Sequence, residues 1–443
     1  MRYIINNKKN KISKIFLIAI CCAVLMINFI FVKSCTDNKA VTSENEITTE
    51  PQNFGSLSNN GNNGNNGIDD GETDISDTCD TTDTSSFDTS DISDTADTAG
   101  TTEKKQSPTG SGQTANKKYY SYLTGLECTR TEQRKRPVSI IINNIRQAMP
   151  NVGISHADII YECLAEGGIT RLMMVLTDYE NVSVFGSVRS SREYFIDLSR
   201  SHDTIYVHAG GNPQDYDQFD KRAIDRIDGV NMNFPNTFYR DAQRRKTMAL
   251  EHTLMTSGAG IIAGIKQAKY RTTLNSDYKG AFKFNEKIKD IGGTDNTANY
   301  VWVPYSNGFA PEFIYNPDDK LYYRKQFGAA HIDGETGEQI RFQNVVVMFA
   351  EYTPFTESEI ARKEGHLACK LTGDGYGFYI TNGKYKTIQW KKDTRDSVLN
   401  FFNLDGSELY LNPGKSFICV TSKAYNKNVV INSDVKDIKD AKK

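Results

Sequence analysis

The sequence predicts an α+β protein: an N-terminal mixed α/β domain with a β-hairpin and a strand–helix–strand core, followed by a smaller antiparallel β-rich domain. Three observations carry that prediction. Residues Phe185 to Gly211 read as a strand, a polar turn holding two arginines, a helix and a second strand. Upstream, two strand-like runs flank Gly167-Gly168, a hairpin signal. From about Ala298 the pattern changes to short runs rich in β-branched and aromatic residues, separated by turn residues.

The 443 residues leave room for two or three domains. A net charge of −2 gives no global reason to expect a nucleic-acid partner. Residues 1–35 have the layout of an export signal or membrane anchor. Arg2, Lys8, Lys9, Lys11 and Lys14 precede an unbroken apolar run from Ile15 to Val32. The run ends at Lys33-Ser34-Cys35, which is similar to the lipobox at which a bacterial lipoprotein is cleaved and acylated. Lipidation of Cys35 is one expectation; an uncleaved spanning helix is the other, because the run is just long enough. Either anchor places the rest of the chain on the outer face of the cytoplasmic membrane.

Residues 36–117 are acidic and rich in Asn, Gly, Asp, Thr and Ser. So little apolar sequence cannot build a core, and a disordered tether is expected. Of eight cysteines, Cys21 and Cys22 lie in the apolar run, Cys35 is the anchor candidate and Cys79 sits in the tether. Cys128, Cys163, Cys369 and Cys419 contain no CxxC pair. Buried free thiols are expected for them, with a Cys128–Cys163 bridge as the alternative. No metal site and no cofactor are suggested.

The N-terminal α/β domain is placed at 118–295. Pro137 to Asn143 is a short apolar, β-branched run and reads as a buried strand. A two-residue turn at Gly167-Gly168 would set Glu166 opposite Ile169, Leu164 opposite Arg171 and Glu162 opposite Met173. Glu162, Glu166 and Arg171 would then share one face. Ser190 and Glu193 stand at the spacing of a capping box, so a helix is expected to start there. Its N-terminus would present free N–H groups, to which Arg189 and Arg192 add charge, making an anion site with Arg171. The next strand, Asp203 to His208, runs into Ala209-Gly210-Gly211, and strand ends of this kind place ligands in open α/β sheets. His208 is thus a candidate acid/base or hydrogen-bonding group, and Glu162 and Glu166 are the other candidate catalytic groups. Asn144, Arg240 and His252 complete the candidate binding set. A small-residue helix is read from Thr256 to Ala268. The β-rich domain is placed at 296–424, with a charged tail at 425–443.

In combination, several phrases resemble the YerB-like family of candidate bacterial lipoproteins, built on the N- and C-terminal parts of domain of unknown function 3048. They are Leu123–Gly125, Arg136-Pro137, Asn143-Asn144, Gly153–Glu162, Glu166–Arg171, Val188–Arg192 and Tyr206–Gly211 in the first part. In the second they are Tyr323-Arg324, His331–Asp333, Asn344–Val347, Gly373–Gly375, Trp390-Lys391 and Asn412–Gly414. The resemblance implies membrane attachment, an α/β part and a β-rich part, and it carries no catalytic role. The functional expectation is a membrane-tethered extracytoplasmic binding or accessory protein of the bacterial envelope. Its anion-binding cleft would engage an envelope polymer or an envelope protein. The alternative is a hydrolase of an envelope polymer, for which no serine-nucleophile motif is present.

Overall fold

The computed structural model describes residues 117–291, 296–357 and 359–432. The anchor segment with Cys35, nearly all of the 36–117 tether and residues 433–443 of the tail lie outside the described residues. The first long strand, β1 (Val138–Asn144), is buried along its whole length. Its alternation sends Val138, Ile140 and Ile142 into one core and Ile141 into another, as expected of a strand covered on both faces. β2 (Ile159–Leu164) and β3 (Thr170–Leu176) lie beside it, with β3 in the middle and antiparallel to both. After the helix α1 (Glu193–Arg200), strand β4 (Ile205–His208) pairs parallel with β1. Helix α2 (Pro213–Lys221) follows, with Asn212 and Asp215 capping each other's backbone at 2.8 and 2.9 Å. Strand β5 (Arg226–Asp228) then closes that edge, parallel to β4. Helix α3 (Gly258–Ala268), capped by Ser257, sends Ile261 and Ile265 into the same core as Val138.

Most of the later strands divide between two sheets, Tyr410–Leu411 pairing instead with Lys283–Phe284. β6 (Tyr300–Trp302), β7 (Glu312–Asn316), β8 (Leu321–Gln326) and β9 (Ala329–Ala330) form a small antiparallel sheet in that order. Val430–Asn432 lies beyond β6 at the far edge. The others, β10 (Asn344–Pro354), β11 (Gly373–Thr381), β12 (Lys384–Lys392), β13 (Asn400–Phe402) and β14 (Ser416–Ser422), join the strands of the first part in one eleven-stranded mixed sheet. β14 is inserted between β10 and β2, parallel to both. The antiparallel texture read from the sequence holds for the small sheet and for β10 through β13. The small sheet packs Val301, Phe313 and Tyr322 over one face of the large one, while Phe195, Ile196 and Leu198 of α1 pack over the other.

Two local expectations are corrected. The hairpin turn is longer than two residues: Glu166–Gly168 form a 3-10 turn between Ala165 and Ile169, with both glycines at positive φ, 65° and 74°. The register therefore moves by one, so that Glu162 faces Leu172 and Cys163 faces Arg171. A one-residue shift turns side chains to the other face, and Glu162 and Arg171 point to opposite sides of the sheet. The capping box is absent as well. Arg192 is the N-cap of α1, with no side-chain cap bond, and Glu193 is the first helical residue. Cys128, Cys163, Cys369 and Cys419 are free thiols, the second and fourth fully buried, so no Cys128–Cys163 bridge forms. Among the described residues no helix is long and apolar enough to cross a membrane.

Candidate anion-binding site

The turn before α1 is fixed by backbone bonds to the two parallel strands at its sides. Arg189 N–H donates to Ile141 O at 2.9 Å, Ala209 N–H donates to Arg189 O at 2.9 Å, and Ser191 N–H donates to Gly210 O at 2.9 Å. This lacing brings Arg189 and Arg192 to the ends of β1 and β4. Arg171 arrives from β3, and Glu166 from the turn between β2 and β3. Glu166 takes both arginines. Arg192 donates from Nε to Oε2 at 3.0 Å and from Nη2 to Oε1 at 2.6 Å, and Arg171 Nη2 contacts the same Oε1. Arg171 also donates to Ser190 O at 3.1 Å. Side-chain exposure is 3% for Arg171 and 7% for Arg192 but 21% for Glu166, so the carboxylate is the lid of the group.

Electrostatics follow from that packing. Burial alone would raise the Glu166 carboxyl, but the Arg171 and Arg192 charges outweigh it and hold the carboxyl down at about 2. Burial, and after it the Arg192 charge, brings Arg171 down to about 10. His366 was not anticipated from the sequence. It is 4% exposed, with Nε2 lying 3.3 Å from Arg192 Nη2 and 3.0 Å from Glu364, and Nδ1 3.2 Å from Asn212 Nδ2. Burial first, then Arg192, lowers its pKa, so the ring is neutral. No local signal marks His366, since it lies 174 residues from Arg192.

The other candidates fall in three places. Arg189 lies on the outer side of the cluster. Its Nη2 is 3.8 Å from Glu251 Oε1, and its buried Nε has no partner. Arg240 stands beside it, donating to Leu250 O at 2.6 Å, and His252 packs inward with Nδ1 3.0 Å from Asn143. His208 does not face this group. It is fully buried, donates from Nδ1 to Gly210 O at 2.9 Å and stacks on Phe219 with centroids 4.8 Å apart. That ring orients the glycine turn and reaches no open space. Glu162 and Asn144 lie on the opposite face of the sheet. There Glu162 accepts from Asn144 Nδ2 at 3.0 Å, Thr170 Oγ1 at 2.8 Å and Arg324 Nη2 at 2.9 Å. Arg324, also missed, stands at an inward position of the alternating β8. Among the described residues no His, Cys, Asp or Glu cluster is arranged to hold a metal ion.

Three further carboxyls give a test of this electrostatic picture. Burial raises Asp158 to about 6, Asp215 to about 6 and Glu193 to about 7. Each binds its proton more tightly in the folded state than in the unfolded chain. Their contribution is complete below the ordinary carboxylate range and is lost as pH rises through 6 to 7. Glu166 acts in the opposite sense, contributing above its ordinary value and losing the contribution as pH falls toward about 2. Thermal unfolding followed by circular dichroism should give the highest midpoint near pH 4, with a decline on both sides. A midpoint that rises steadily from pH 5 to pH 8 would contradict these shifts.

The two-part α+β chain matches one described class. Residues 123–271 match the model described as Protein of unknown function (DUF3048) N-terminal domain, and residues 301–418 match its C-terminal counterpart. The chain belongs to the DUF3048 family. It is similar to YerB of Bacillus subtilis (strain 168), which is named as a candidate lipoprotein. The two are 30% identical over 310 residues, covering 68% of this chain and 86% of that protein. The crystal structure of YerB from Bacillus subtilis superposes with a TM-score of 0.61 at 27% identity, covering 71% of this chain and 99% of that one.

Proposed function

We propose that this protein is tethered to the outer face of the cytoplasmic membrane through Cys35. There it would work as an accessory protein, binding an anionic group of an envelope polymer or envelope protein with its arginine cluster. The observation that carries the reading is the imbalance at the clamp. Two guanidiniums, those of Arg171 and Arg192, share the single Glu166 carboxylate. Arg189 lies on the outer side of them, with Nη2 3.8 Å from Glu251 Oε1, Nη1 donating to Glu251 O at 3.2 Å and a buried Nε that has no partner. Guanidinium forks of this kind suit phosphate and carboxylate groups.

The same geometry weighs against the hydrolase reading. Glu166 has both oxygens engaged and is held at about 2, so it has no proton to donate near neutral pH. Glu162 and His208 are fully buried, leaving no room for a reacting atom.

Binding of poly(glycerol phosphate) to the full chain in detergent micelles tests the clamp. Arg189→Ala, at a half-buried position, should weaken binding about fivefold or more and leave the thermal midpoint nearly unchanged. Unchanged affinity would remove the anion-site reading. The anchor has its own test in cells fed labelled palmitate. The parent chain should take up label and Cys35→Ala should not, whereas a parent chain that stays in the membrane fraction without label would identify an uncleaved helix.

A further inference from the structure

A second cleft, of about 340 Å³, opens on the opposite side of β2 and β3 from the arginine clamp, beside the edge of the small sheet. Met149, Pro150, Phe327 and Ile332 supply apolar walls, Ile332 being 39% exposed. Arg146 stands at the rim with its guanidinium 4.9 Å from the centre of the Phe327 ring. Gln326, 5% exposed, lies along the bottom. Its Oε1 accepts from Arg324 Nη2 at 2.6 Å, which fixes the amide so that Nε2 is the free end. That Nε2 is buried and has no hydrogen-bond partner. A buried amide N–H left unpaired costs about 1–3 kcal/mol, so a cleft that keeps one is arranged to meet an acceptor.

The backbone adds a third feature. β9 (Ala329–Ala330) is the outermost strand of its sheet, and both alanines are exposed and small. Its outer edge is open to an extended chain, which would pair by main-chain hydrogen bonds. An acceptor for Gln326, an apolar group for the walls, an anion for Arg146 and a strand for β9 together describe one ligand. We infer that this cleft binds the carboxyl-terminal end of an extended peptide with an apolar last residue. The last side chain enters between Phe327 and Met149, a peptide carbonyl accepts from Gln326 Nε2, and the terminal carboxylate meets Arg146. Its volume lies at the lower end of ordinary ligand pockets, in keeping with two or three residues.

Calorimetric titration of the full chain in detergent micelles with N-acetyl-Ala-Ala-Leu tests this site. The free acid should bind at least about tenfold more tightly than its amide, and about tenfold more tightly than octanoate, an apolar carboxylate lacking peptide groups. Arg146→Gln should remove the preference for the acid and leave amide binding unchanged. Gln326→Glu keeps an oxygen for Arg324 but replaces the donor, and it should abolish binding of both peptides. If Gln326→Glu does not fold, judged by circular dichroism, the Arg146→Gln comparison decides alone. Equal binding of acid and amide, equal binding of octanoate, or no saturable binding would each overturn the proposal. None of these readouts depends on the arginine clamp.

Discussion

Replacing Arg324 by methionine should lower the stability of the fold by about 3–5 kcal/mol, the usual result of removing one partner from a buried ion pair. Arg324 and Glu162 are both fully buried, with Nη2 and Oε2 2.9 Å apart. The arginine also contacts His331 and Gln326, and it lies over the Phe417 ring, so its charge is spread over several partners. Without it, Glu162 keeps the Asn144 and Thr170 bonds but loses its countercharge in a dry interior. Glu162→Gln combined with Arg324→Met should recover much of the loss, because a neutral amide leaves no bare charge behind. Urea unfolding of both single variants and the double variant measures the coupling. Strictly additive losses would show that the pair is not the unit that matters. The pair joins β2 of the large sheet to β8 of the small one, so its loss should loosen the packing of the two sheets.

Glu166→Gln should have the second largest effect, and one that reports on binding. A carboxyl held at about 2 instead of its ordinary 4.5 represents roughly 3 kcal/mol of stability at neutral pH. The amide variant forfeits it and leaves Arg171 and Arg192 without their carboxylate. If the clamp accepts external anions, phosphate should replace part of what was lost. The thermal midpoint of the variant should then climb with phosphate more steeply than that of the parent, at matched ionic strength. A variant indifferent to phosphate would mean that the clamp is shaped for Glu166 alone.

How much of this was legible in the sequence depended on whether a signal is local. The run around Val138–Asn144, the helix after Arg192 and the strand ending at His208 were each read correctly, because apolar spacing within a few residues determines them. The hairpin was recognised but its register was not. The positive-φ pair Gly167 and Gly168 serves a two-residue turn and a longer 3-10 turn equally well, and the difference of one residue sends Glu162 to the far face. Ser190 and Glu193 had cap spacing, but Arg192, held by Glu166, sits at the N-cap instead. Long-range partners left no local trace. Glu162 finds Arg324 across 162 positions, and β14 slots between β10 and β2 with nothing in its own residues to name those neighbours.

The place of Ser416–Ser422 in the large sheet has a temporal consequence. A chain is made from its N-terminus, so Ile159–Leu164 must wait for more than two hundred and fifty further residues before its second neighbour exists. Until then one flank of a nearly all-apolar strand is bare, a template for pairing with any other nascent copy. Completion should come late and nearly all at once, and a chain cut short before Ser416 should be sticky and readily degraded, even though every residue of its first half is present.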